Sequence, residues 1–137
     1  MKKESIPLFK VFMSETAAPE VSKVLNSGYI GQGPKVEEFE NNLKNYFNHD
    51  YVTTLNSGTA GLHLALHMLK KPSNDVSSWP GLEEGDEVLT TSMTCTASNW
   101  PILANNLKIK WVDLDPTTLN MDLDDLERKI TPKTKII

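Results

Sequence analysis

"TTLNSGTAGLHLALHML", residues 53–69, is the stretch whose reading decides the fold. Just before and into it, Tyr51-Val52-Thr53-Thr54-Leu55 is a β-favouring run; Asn56-Ser57-Gly58-Thr59 is a polar hinge; from there apolar residues recur at helical spacing. A strand-to-helix turn exposes the first N–H groups of the helix, which lack intrahelical acceptors and sit at the positive end of the dipole. Such an end attracts a phosphate. Gly58 would let an oxyanion approach the backbone, and Ser57 and Thr59 add hydroxyl donors. The same hydroxyls serve equally well as helix caps. The stretch is not a P-loop, since no Gly-Lys followed by Ser or Thr is present, and it lacks the three-glycine dinucleotide fingerprint.

Working outward, Pro19 to Leu25 reads as a short helix stopped by Gly28. "PKVEEFENNLKNYF" reads as a longer one, opened by Pro34, with Val36, Phe39, Leu43 and Phe47 on one face. The helix after the hinge extends from about Gly58 to Lys70, with Leu62, Ala65, Leu66 and Leu69 as a buried stripe. "KKPSNDVSSWPGLEEGD" reads as a surface excursion, long for a loop. "EVLTT" is a strand, "TASNWPILANN" a helix bent or begun near Pro101, and "KIKWVDL" a strand. "DLDDLERKI" is a helix with acidic first and basic last turns, and "TKII" begins another strand. The β-α-β-α-β-α order predicts an α/β fold, a mostly parallel sheet with flanking helices. We expect an N-terminal helical segment over residues 1–50 and a partial α/β domain over 51–137. A strand stopping at Ile137 suggests truncation there, the alternative being a complete small domain with an edge strand.

The chain has 137 residues and a net charge of −4, with 39% hydrophobic and 23% charged residues. That is an ordinary globular composition without a basic patch for nucleic acid. No apolar run approaches a membrane span, and Met1 to Ser5 is not followed by a signal-peptide core, so cytoplasmic residence is expected. The single cysteine, Cys95, cannot form an internal disulfide.

Four blocks, "SGYIGQGPKVEEFE", "LNSGTAGLHLAL", "GDEVLTTSMTCTASN" and "VDLDPTTLNMDLDDLERKITPKTKII", stand in the order and spacing of one family. From about Ile6 onward the chain resembles the DegT/DnrJ/StrS family of sugar aminotransferases. The resemblance implies the N-terminal half of an aspartate-aminotransferase-type large domain, the fold type I of pyridoxal 5'-phosphate enzymes. It implies pyridoxal 5'-phosphate as cofactor, glutamate as amino donor, a nucleotide-linked keto sugar as acceptor, and a homodimer. Carried over by position, Gly58, Thr59 and Ala60 hold the cofactor phosphate. Cys95 stands where many members place an aromatic ring on the pyridine face, and a small polarizable thiol can contact that face or be a small core residue. Tyr29, Gly31 and Gln32 match a loop near the substrate, and as a bare string they read as a turn between helices.

His63 and His67 have zincin spacing, but Leu64 replaces the glutamate base; the carboxylates at 122, 124, 125 and 127 fail the EF-hand pattern and read as a solvated helix start. No metal is expected. A pyridoxal enzyme needs a lysine for the Schiff base and an acid to hold the pyridine nitrogen protonated. The resemblance places both beyond "TKII", and Lys133 and Lys135 at a structural junction, so no catalytic residue is assigned in this chain. Two other readings stay open: part of a dehydratase of the same family, in which histidine replaces the lysine, and a non-catalytic phosphate-binding or dimerisation module.

Overall fold

The computed structural model describes residues 6–75 and 78–137. The reading of Met1 to Ser5, and residues 76–77 of the expected excursion, lie outside the described residues. The chain forms two compact units, one up to Thr54 and one from Leu55 to Ile137.

In the first unit, α1 (Ala17–Ser27) ends at Gly28, whose φ of 76° is the left-handed conformation that a residue without Cβ adopts freely. Pro34 opens α2 (Pro34–Phe47), where the N–H it lacks would have had no partner. Neither helix contains a buried residue, and Phe39 and Phe47 remain 54% and 62% exposed. The predicted apolar stripe of α2 is thus covered only in part: Val36 and Leu43 are half-buried, Phe39 and Phe47 exposed.

The predicted strand over 51–55 is a correction. Those residues form no strand among the described residues. The Glu40 carboxylate accepts both the Thr54 N–H at 2.8 Å and the Thr54 hydroxyl at 3.0 Å, so a group that a ladder would use is already engaged.

The second unit contains α3 (Gly58–Met68), β1 (Glu87–Thr91), α4 (Thr96–Ala104), β2 (Lys108–Val112), α5 (Leu123–Lys129) and β3 (Thr134–Ile136). The three strands are all parallel, in the order β2-β1-β3. Val88 and Leu89, on opposite faces of central β1, are 4% and 1% exposed, so helices and loops cover both sides. Leu82, Val88, Ile102 and Leu107 form the core, with Leu66, Trp79, Ile109 and Ile136 packed against it.

Two expectations change here. The α3 stripe is not uniformly buried: Leu66 reaches the core, while Leu62 is 47% exposed and Leu69 40%. The excursion is not wholly superficial either, for Leu82 is a core residue, its N–H donates to Leu69 O, and the Trp79 indole N–H donates to the same carbonyl at 2.7 Å. The cause is a fold-back onto the end of α3. Gly81 makes it possible, with φ +89° and a backbone so close to Lys70 that a Cβ would lie 2.5 Å from its carbonyl oxygen.

Candidate functional site

The hinge is an open helix start. Ser57 is the N-cap of α3, and its hydroxyl accepts from the Ala60 N–H at 3.1 Å. The Gly61 N–H donates to Ser57 O. Among the described residues no acceptor engages the N–H groups of Gly58 and Thr59. Ser57 thus caps through Ala60, while Gly58 and Thr59 keep two adjacent donors. A Cβ on Gly58 would meet nothing within 4 Å. Asn56, Ser57 and Gly58 are exposed, and Thr59 and Ala60 half-buried.

Cys95 is the N-cap residue of α4, extended at φ −64° and ψ 141°, and its thiol is free and exposed. It ends the short link Ser92–Cys95 that leaves the C-terminal end of β1. Strand order reverses about β1, with β2 on one side and β3 on the other. In open parallel sheets, ligands bind outside the carboxyl ends of strands at such a reversal. Helix α4 packs against α3: the His63 and Trp100 rings meet edge to face at 5.2 Å, and the Asn105 amide donates to His63 O at 3.3 Å. Gly58, Thr59 and Ala60 thus begin one of two packed helices, and Cys95 caps the start of the other.

Asn99 is a residue that the motif reading passed over. Half-buried on α4, it accepts from the Thr90 hydroxyl at 2.9 Å and donates to Thr91 O at 3.3 Å. The signal was available: an amide inside the apolar run "TASNWPILA" needs a polar partner.

Tyr29 and Gly31 lie in the first unit and line a cleft of about 650 Å³ with Lys23, Ser27, Gly33 and Lys35. Gln32 does not line it. Lys35 is held by Glu38 at 2.8 Å, which raises its pKa, and Lys23 pairs with Glu20, whose pKa the Lys23 contact lowers.

His63 meets Trp100 edge to face, and no group of three His, Cys, Asp or Glu among the described residues could hold a metal. In the acidic run Asp124 and Glu127 are exposed, but Asp125 corrects the expectation of a solvated start. Asp125 is 7% exposed and accepts the Asp113 N–H at 2.8 Å, Lys129 Nζ at 2.7 Å and Arg128 at 3.1 Å. The Asp113 N–H, then Lys129, hold its carboxyl down to about 2. It ties α5 to the end of β2.

Residues 12–137 match the DegT/DnrJ/EryC1/StrS aminotransferase family. The chain belongs to that family. Its fold is similar to the crystal structure of AtS13 from Actinomadura melliaura, 50% identical with a TM-score of 0.80, over 99% of this chain and 34% of the other. The E. coli GDP-4-keto-6-deoxy-D-mannose-3-dehydratase with bound hydrated PLP is similar at 26% identity and TM-score 0.78, over 96% and 33%. In sequence, a UDP-4-amino-4-deoxy-L-arabinose–oxoglutarate aminotransferase of Shewanella sediminis is 34% identical over 100% of this chain and 32% of its own length. The chain therefore spans about a third of the length of these relatives. The expected fold class holds: the parallel α/β sheet with flanking helices is shared with pyridoxal 5'-phosphate enzymes of the family. No helix among the described residues is long and apolar enough to cross a membrane.

Proposed function

We propose that this chain is the N-terminal part of a pyridoxal 5'-phosphate aminotransferase that moves an amino group from glutamate to a nucleotide-linked keto sugar. Residues 1–50 are then its N-terminal helical segment and 51–137 part of its cofactor domain, working in the cytoplasm as a homodimer. The observation that carries this is the open first turn of α3, in a chain of this family. Two free amides at a helix start, beside a glycine whose Cβ position is open, fit a phosphate monoester. Gly58 and Thr59 would hold it through their N–H groups. Ala60 contributes through the cap that keeps the turn in shape, because its own N–H is committed to Ser57. Cys95 would face the ring, and Tyr29, Gly31 and Gln32 the sugar substrate.

Bound there, the cofactor supplies an electron sink for amino-group transfer. These residues bind and orient it; none is placed to move a proton. Lys133 and Lys135 are exposed, and we assign neither a catalytic role. The oxoglutarate aminotransferase among the relatives supports glutamate and a nucleotide sugar as substrates. Similarity to the E. coli dehydratase supports a second reading, sugar dehydration with the same cofactor.

The purified chain should bind pyridoxamine 5'-phosphate weakly and produce no 2-oxoglutarate from glutamate with added pyridoxal 5'-phosphate. Absence of binding at any concentration would refute the phosphate site. Steady turnover, with a borohydride-stable adduct mapped to one lysine, would refute the division of labour.

A further inference from the structure

The link Ser92–Cys95 connects the last residue of β1, Thr91, to the first of α4, Thr96, and is tied at both ends. At its far end the Ser98 N–H donates to Cys95 O at 2.9 Å, and the Thr94 hydroxyl donates to Ser98 Oγ at 3.2 Å. Just before its near end, the last two residues of β1 are tied to α4 by one side chain, Asn99, whose amide oxygen receives the Thr90 hydroxyl and whose amide nitrogen donates to Thr91 O. The pairing requires an acceptor and a donor side by side on one planar group at short reach. Asparagine supplies this; aspartate cannot donate, leucine can do neither, and glutamine is one carbon longer. In the half-buried setting of Asn99, an unmade bond would leave a polar group without its partner.

Resting on the cofactor reading above, we infer that Asn99 is a positioning residue for that site. It ties the first turns of α4 to the end of β1 across the link Ser92–Cys95 and so sets where Cys95 stands against the cofactor ring, acting through the backbone and not on the ring. Asn99 thereby joins the strand end, where open parallel sheets place ligands, to the helix whose N-cap is Cys95.

Cys95 is the only cysteine, so alkylation by iodoacetamide reports this position without background. Pyridoxamine 5'-phosphate is the probe, because it does not condense with surface lysines. Without it, wild type, Asn99→Ala and Thr90→Val should react at similar rates, since the thiol is already exposed. With it, wild-type alkylation should slow. Asn99→Ala, which removes both hydrogen bonds, should need roughly fivefold more ligand for half-protection. Thr90→Val, a β-branched replacement that suits the strand, should shift the curve in the same direction and decides the matter if Asn99→Ala does not fold. Protection curves of both variants superimposed on wild type overturn this inference alone. No protection of the wild type overturns the cofactor reading and this inference with it.

Discussion

The Thr131 hydroxyl donates to the Glu87 carboxylate at 2.6 Å, joining the approach to β3 to the first residue of β1 across 44 positions of sequence. Lys110 of β2 reaches the same oxygen at 3.3 Å, so one carboxylate gathers all three strands at the end of the sheet remote from Cys95. The Thr131 hydroxyl, followed by Lys110, lowers its pKa.

Glu87→Ala should therefore loosen β3 first, since the strand is only Thr134–Ile136 and its register against β1 already slips at Glu87 and Val88. Amide exchange of Thr134 to Ile136 should accelerate while that of Leu89 changes less, with Tm falling by roughly 5 °C. Uniform acceleration through β1 and β2 would show that Glu87 supports the whole sheet and not one edge.

Asp125 gives a pH signature. Its carboxyl is depressed to about 2 in the folded chain, so its stabilisation is complete above the unfolded value of about 3.9 and is lost as pH falls from there to about 2. Asp125→Asn removes this dependence along with the Lys129 and Arg128 pairs. Urea midpoints measured from pH 5 to pH 2 should converge for wild type and variant at the acid end. A constant gap down to pH 2 would mean that the carboxylate is not the titrating group.

Legibility followed locality. Helices α2, α4 and α5 and strands β1 and β2 could be read because each carries its own signal: Pro34 at a helix start, a β-favouring five-residue run, Asp122 ahead of an acidic turn. The run 51–55 has the same β-favouring composition as β1, but a strand exists only by pairing, and the Thr54 donors go to Glu40 instead. Asp125 misled for the same reason, since its burial depends on the Asp113 N–H, 12 residues earlier. At the site, Gly58 and Ser57 were visible as a turn. What the string could not apportion was which N–H the cap would take, and that depends on the Ser57 rotamer.

Gly81 tests the fold-back that brings Leu82 into the core. Alanine there would have to hold φ +89°, which costs on the order of 1–3 kcal/mol for a residue with a Cβ, and would also strike Lys70 O at 2.5 Å. Gly81→Ala should lower unfolding free energy by at least that amount in urea titrations, and Trp79 fluorescence should report the local change. Gly58→Ala, with open space and no positive φ, is the control that should fold normally. Equal stability of the two variants would dismiss the close approach.

The opening turn can be tested on its own. With the Gly58 and Thr59 amides free and the Ala60 N–H committed to Ser57, added phosphate should move the amide resonances of residues 58 and 59 most, with Ala60 following through the cap. Binding will be weak, because one exposed helix end contributes about 0.3–1 kcal/mol per favourable charge. Gly58→Val separates approach from folding: a Cβ at Gly58 meets nothing within 4 Å and no positive φ is required, so the helix should persist while the branched group shields the amides. The shifts should then vanish with the helix intact. Ser57→Ala should act differently, costing about 1 kcal/mol of stability through the lost cap while leaving the two free donors in place. Shifts that survive Gly58→Val but disappear with Ser57→Ala would place the anion on the serine hydroxyl and overturn the backbone cradle.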